Sequence, residues 1–269
     1  MENIEPKQIA SLLAKIRATK PLVHHITNWV TIYDCANITR TIGALPVMAH
    51  APEEVEEMTG IASALVLNIG TLTEELMQAM YKAGMKANDK GIPVVVDAVG
   101  VGATKFRTEK FRELAQKVKL SVVKGNSAEM GIIAGVKAEV KGVEAVSVEG
   151  NLEDIAKKVA SEYGCTAAIT GKTDIVSDGS SVYLVNNGHQ MMGSIVGTGC
   201  MAASVIGSFC AVEKDYALAS ASALSVMGIA GELAAAKSHG PATFKEAFFD
   251  EMYNLDDEKI IRLARVEKE

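Results

Sequence analysis

Asp97 ends the apolar run from Ile92 to Val96 and is followed by Ala98-Val99-Gly100-Val101-Gly102-Ala103-Thr104. A carboxylate at a strand end beside a glycine-rich turn suits a magnesium ion near a phosphate chain, because magnesium takes one or two carboxylates plus phosphate oxygens. Capping of the following turn is an equal reading of Asp97 alone. Gly100 and Gly102 do not make a dinucleotide fingerprint, since position 105 is Lys. Lys124-Gly125-Asn126-Ser127-Ala128-Glu129 joins a second apolar run to a helix. Lys124 could meet a phosphate, and Glu129 falls on the first helical turn, where a carboxylate ordinarily serves the helix dipole.

Thr170-Gly171-Lys172-Thr173 is not a phosphate-binding loop of the Walker type: the upstream glycine position is Thr166, and a strand rather than a helix follows. Thr170 is left as a nucleotide contact at a strand end or a hydroxyl that satisfies a turn. More specific is Gly193-Ser194-Ile195-Val196-Gly197-Thr198-Gly199-Cys200, which opens a helix of small residues. Glycines there let the backbone approach a ligand, and the free amides of a helix start stabilise an anion. The amides of Gly197, Thr198, Gly199 and Cys200 are therefore candidates to neutralise a transferring phosphoryl group. Cys200 beside that helix start is expected to have a depressed pKa.

Near the N-terminus, His24-His25-Ile26-Thr27-Asn28-Trp29 follows a short apolar run. Adjacent histidines on a strand point to opposite faces and make a poor metal pair, so one packed and one solvated ring is expected. Asn28 could donate or accept toward a polar heterocycle, and Met48 in Pro46-Val47-Met48-Ala49 could line an adaptable apolar wall.

The elements that must position these residues alternate along the chain. Ile9, Leu12, Leu13 and Ile16 give Pro6–Thr19 one buried helix face. A strand at Ala64–Asn68 precedes a helix ending near Gly91, with Thr71 and Glu74 as a capping box. The strand closed by Asp97, a helix over Thr108–Val118, the strand Ser121–Lys124 and a helix from Ser127 follow. Leu152–Tyr163 reads as a helix stopped by Gly164, Thr166–Thr170 as a strand, and Asp174–Ser177 with Ser181–Asn186 as a hairpin about Asp178-Gly179. Everything beyond Gly199 reads as helices. The alternation predicts one α/β domain over residues 1–269, with a mainly parallel central sheet covered by helices on both faces.

Composition removes several classes of partner. The 269 residues carry a net charge of −6, which argues against non-specific affinity for nucleic acid or anionic lipid. Aromatics are 5%, too few for a base-stacking groove. The four cysteines are scattered without a CxxC pair, and Met1–Lys20 lacks the pattern of a signal peptide, so a reducing cytoplasm is expected. Gly193–Val212 is uncharged and long enough for a bilayer, but Gly, Ser, Ala and Thr dominate it and it holds no Leu; a tightly packed buried helix is the better reading.

Taken together, HHITNWV (24–30), ALPVMAHAPEE (44–54), VVVDAVGVGAT (95–104), VVKGNSAEM (122–130), AAITGKTDIVSDG (167–179) and GSIVGTGCMAASVIGSF (193–209) resemble the hydroxyethylthiazole kinases of the ribokinase-like superfamily, over nearly the whole chain. The resemblance implies ATP-dependent phosphorylation of the primary alcohol of 4-methyl-5-(2-hydroxyethyl)thiazole, in thiamine salvage. It implies Met48 and Gly197 as thiazole-pocket contacts, with Asn28 in the substrate-side motif. Lys124, at a position that is often Arg, and Thr170 match ATP contacts, and Asp97 and Glu129 lie near magnesium. Cys200 stands where most of the superfamily carries an aspartate base, and a homotrimer is implied. The chain departs from the pattern at Ala98 (usually Pro), His25 (commonly Asn) and Trp29 (commonly Tyr). Rival readings are a hydroxymethylpyrimidine kinase or a nicotinamide-nucleotide hydrate dehydratase, both expected to carry Asp at 200, and a silent ligand-binding homologue.

Overall fold

A computed structural model describes residues 2–142 and 144–269. In chain order its elements begin with β1 (Glu2–Asn3), α1 (Pro6–Thr19), β2 (Leu22–Ile26), α2 (Ile32–Thr41), β3 (Leu45–Val47) and α3 (Val55–Ile61). They continue with β4 (Ala64–Asn68), α4 (Glu74–Lys90), β5 (Val94–Asp97), α5 (Lys105–Lys117), β6 (Val122–Asn126) and α6 (Ser127–Ile133). A small hairpin of β7 (Ala138–Lys141) and β8 (Glu144–Val148) precedes α7 (Leu152–Tyr163), β9 (Thr166–Thr170), β10 (Asp174–Ser177) and β11 (Val182–Val185). After a short 3-10 turn at Gln190–Ser194 come α8 (Thr198–Cys210), α9 (Tyr216–Ala235), α10 (Pro241–Asn254), α11 (Asp257–Leu263) and β12 (Val266–Lys268).

One ten-stranded sheet runs β1-β12-β11-β10-β9-β6-β5-β4-β2-β3. The half from β9 to β3 is parallel, and the half from β10 to β1 is antiparallel. The expected mainly parallel sheet is thus extended at one edge. Two of those edge strands were not legible as such: the C-terminal segment, read as helical throughout, ends in β12, which pairs with both β11 and β1. Two or three residues carry too little periodicity to announce a strand; the pairing supplies it.

Two apolar layers flank the sheet. On one face Val66, Val95 and Val122 pack with α1, α8 and α9. On the other, Leu65, Leu67, Val94 and Val96 pack with α4, α5 and α7. Strand side chains alternate between the faces, and both faces are covered, so the strands read as continuous apolar runs. The small-residue helix α8 is buried along Met201–Cys210, and Gly207 lies against Val66, where a side chain would collide. Its neighbour α9 is long and apolar enough to cross a membrane, yet 83% of its apolar 18-residue stretch is buried within the fold, as a core helix is. The α4 cap differs from expectation: the Thr73 hydroxyl accepts from Leu76 N, whereas Thr71 accepts from Trp29 N.

Both histidines of β2 are buried, so neither is solvated as expected. They point to opposite faces, and each face has a helical layer over it. His24 donates from Nε2 to the Ala49 carbonyl at 2.7 Å, and His25 Nδ1 lies 3.1 Å from the Val23 carbonyl. Burial pushes the His25 imidazole down from 6.5 to about 3. Between those limits the unfolded chain accepts a proton that the folded chain refuses. Stability therefore falls as pH drops through this window, by about 1.4 kcal/mol per pH unit at its steepest. His25→Asn is expected to flatten the loss of melting temperature between pH 6.5 and 4, followed by circular dichroism; an unchanged slope would assign the acid sensitivity elsewhere.

Candidate active site

The parallel strands place three polar residues side by side. Asn68 of β4 pairs with Asp97 of β5, and Asp97 with Lys124 of β6. Two residues earlier on the same strands, Val66, Val95 and Val122 form an apolar row in the layer that contains α8. The period of two puts Asn68, Asp97 and Lys124 on that same face, at the carboxyl ends of the strands. This is where an open α/β sheet binds its ligands.

The row ends at the start of α8. Gly197 caps this helix with φ +98°, and a Cβ there would lie 2.8 Å from Thr31 Cγ2, so both backbone conformation and space call for glycine. Among the described residues no side chain caps the helix, and its first turn holds no acid, so the amides of Thr198, Gly199 and Cys200 are left for an anion. The Thr198 hydroxyl is engaged by the carbonyls of Met192 (2.5 Å) and Ile195 (3.1 Å), so it braces the approach loop. A Cβ at Gly199 would lie 3.0 Å from Lys124 Nζ, which brings the lysine against the helix start.

Asp97 and Lys124 form a buried ion pair, with Nζ 3.0 Å from Oδ1. Burial would lower the Lys124 pKa, but Asp97 and then Glu129 outweigh it, and the net shift is upward. Burial also pushes the Asp97 carboxyl up, opposed by Lys124 and by hydrogen bonds. The ammonium is the group that stays charged at neutral pH, and its contact favours the ionised carboxylate. Glu129 accepts from Gly100 N and Asn126 N, each at 2.7 Å, completing a capping box with Asn126. It thus ties the glycine turn after Asp97 to the start of α6. Burial raises the Glu129 carboxyl to about 7.

On the other side of the row, Asn28 Nδ2 donates to Cys200 Sγ at 3.3 Å and to Asn68 Oδ1 at 3.0 Å. The expected depression of the Cys200 pKa is not found: it is raised, first by burial and second by the Asp97 charge. Three free amides do not outweigh a desolvated thiol beside a carboxylate.

Asn28, Asp97, Lys124, Glu129 and the Gly197–Cys200 segment therefore converge. Thr170 ends β9 opposite Asn126 and reaches the Gly125 carbonyl at 3.4 Å, at the border of the cluster. Met48 lies farther out, just past the edge strand β3. Its neighbour His50 stands edge-on to Trp29 at 4.8 Å between ring centroids. Asn68 is the site residue that sequence reasoning missed. Among the described residues no group of three or more His, Cys, Asp or Glu forms a metal cage.

The mainly parallel sheet, with its polar row facing a glycine-opened helix, is an α/β architecture with its ligand end at the carboxyl ends of the strands. A ribokinase-like superfamily protein from Enterococcus faecalis shares the fold, with TM-score 0.63 at 13% identity over 92% of this chain and 95% of that one. The chain belongs to the hydroxyethylthiazole kinase family, whose family model matches residues 13–258. A hydroxyethylthiazole kinase of Methanosarcina mazei is 56% identical over 95% of this chain and 98% of its own length. The solved hydroxyethylthiazole kinase protein of Pyrococcus horikoshii superposes with TM-score 0.89 at 39% identity, covering 98% of this chain and 99% of that one.

Proposed function

We propose that this chain transfers the γ-phosphoryl group of ATP to the primary alcohol of 4-methyl-5-(2-hydroxyethyl)thiazole, as in thiamine salvage. The observation that carries the reading is the register row Asn68–Asp97–Lys124 set against the open amides of α8, in a chain of this family. In this reading Lys124 and Thr170 contact the nucleotide, and Asn28, Met48 and Gly197 contact the thiazole. Asp97 and Glu129 hold magnesium. The donor set fits that ion: two buried carboxylates supply hard oxygens, and a bound cation would favour their ionised form against the burial that raises both. Magnesium, when bound, withdraws charge from the phosphate oxygens. The amides of Thr198, Gly199 and Cys200 receive the charge that develops on the transferring group, and Lys124 adds to it from the sheet side. The transfer depends mainly on this placement.

The raised pKa leaves Cys200 a thiol at neutral pH, so it orients the alcohol rather than removing its proton. Cys200→Ala is accordingly expected to reduce kcat by less than about tenfold, while a general base would cost about a hundredfold or more. The test of the whole reading is an ATP-consumption assay with hydroxyethylthiazole and hydroxymethylpyrimidine in competition. Magnesium-dependent turnover of the thiazole is expected, and turnover of neither compound would sink it.

We further read residues 1–269 as one domain, since a single sheet takes strands from both ends of the chain. The protein is proposed to be cytoplasmic, in keeping with four free cysteines, and to act on small molecules without nucleic acid or membrane. A homotrimer is proposed on the support of the exposed apolar residues Val30 and Val196, which line a hollow together with Ile195 and Pro241.

A further inference from the structure

Asn68 stands between the two halves of the site, and its neighbours leave it a single orientation. Its Oδ1 faces two donors, Gly70 N at 2.9 Å and Asn28 Nδ2 at 3.0 Å, so its Nδ2 faces Asp97 Oδ2 at 2.7 Å. Asn28 is fixed by the same logic. Its Oδ1 accepts from Val30 N and Thr31 N, both at 3.0 Å, and from the Thr31 hydroxyl at 3.1 Å. The two hydrogens of its Nδ2 are then divided between Asn68 and Cys200 Sγ. An unbroken chain of contacts runs Lys124–Asp97–Asn68–Asn28–Cys200, joining the phosphate side of the site to the alcohol side. Asn68 is buried within it.

We propose that Asn68 is a positioning residue for phosphoryl transfer, an inference that rests on the kinase reading of this site. It holds the Asp97 carboxylate and the Asn28 amide in one fixed relation, so that the groups orienting the alcohol and those meeting the phosphates share one reaction geometry. Removing it takes a partner from Asp97 Oδ2, from one hydrogen of Asn28 and from Gly70 N–H inside a buried network, and these groups must move to recover one. Misplacement of about 1 Å is enough to cost about a hundredfold in rate.

The test is steady-state kinetics of the full chain with hydroxyethylthiazole and ATP, for wild type, Asn68→Ala, Asn68→Asp, Asn28→Ala and Asn28→Ala/Asn68→Ala. Calorimetry gives the affinity for a non-hydrolysable ATP analogue, and thermal melts identify folded variants. For Asn68→Ala, kcat is expected to fall about a hundredfold while both KM values and the nucleotide affinity stay within about threefold. Asn68→Asp, nearly the same shape but without the donor toward Asp97, is expected to fall at least as far at neutral pH. A residue that only fills space would tolerate Asp. The double variant is expected to be little worse than Asn28→Ala, because the two asparagines act as a unit. Near-wild-type kcat in a folded Asn68→Asp, or simple additivity with Asn28→Ala, would overturn the proposal. Wild-type protein inert toward the thiazole would instead overturn the kinase reading itself.

Discussion

Lys124→Met is expected to destabilise the protein by about 3–5 kcal/mol and to abolish measurable turnover. Methionine fills much the same volume, so packing is not the cause. The cost arises mainly at Asp97, which is fully buried and loses the one charged partner that it has among the described residues, 3.0 Å away. Its remaining hydrogen-bond partners, the Asn68 amide and the Cys200 thiol, are neutral donors. Burial already pushes the Asp97 carboxyl up, and Lys124 is the largest opposing influence, so its removal sends the carboxyl further up. A carboxyl whose folded pKa lies above its unfolded value stabilises the fold below the unfolded pKa and loses that contribution as pH rises through the folded pKa. The deficit of the variant relative to wild type is therefore expected to be greater at pH 8 than at pH 5. Denaturant melts at the two pH values check this, and an equal deficit at both would place the damage elsewhere than on Asp97.

Much of this site was legible residue by residue, because a parallel strand that ends in a polar side chain stands out against its apolar run. Asp97 after Ile92–Val96 and Lys124 after Ser121–Val123 are of that kind. Asn68 was not singled out, since ALVLN ends like many strands; only the pairing of Asn68 with Asp97 gives it meaning. Glu129 was legible as a helix-start acid. That its two oxygens bind the glycine turn as well as its own helix follows from tertiary contact. Cys200 shows the same limit: its place at a helix start is written in the motif, whereas the burial and the carboxylate that raise its pKa come from other strands. Similarly, Thr71 and Thr73 are equal cap candidates by type, and the Trp29 amide that occupies the Thr71 hydroxyl belongs to a segment 42 residues away in sequence. Local chemistry was readable; what depends on strand register and on the meeting of distant segments was not.

Asp97→Asn separates the structural role of the ion pair from its part in the chemistry. The amide keeps the shape and still offers an oxygen to the buried network, but it removes the charge that holds Lys124 and that would bind magnesium. Turnover is expected to fall about a thousandfold, as when a principal electrostatic contributor is lost. Alone, the variant is also less stable, because Lys124 is then buried without its nearest and strongest opposite charge. The double variant Asp97→Asn/Lys124→Met leaves neither charge behind, and its stability is expected to return to within about 1 kcal/mol of wild type, since a buried pair replaced as a whole costs little. Its activity is not expected to return with it. Melts and kinetics on the four members of this cycle give the two quantities independently. If stability is restored and turnover stays lost, Asp97 and Lys124 are kept as a charged pair for phosphoryl transfer rather than for folding. If turnover returns with stability, the single variants are inactive only because the site has collapsed, and the phosphate-side chemistry must be sought at Glu129 and the α8 amides.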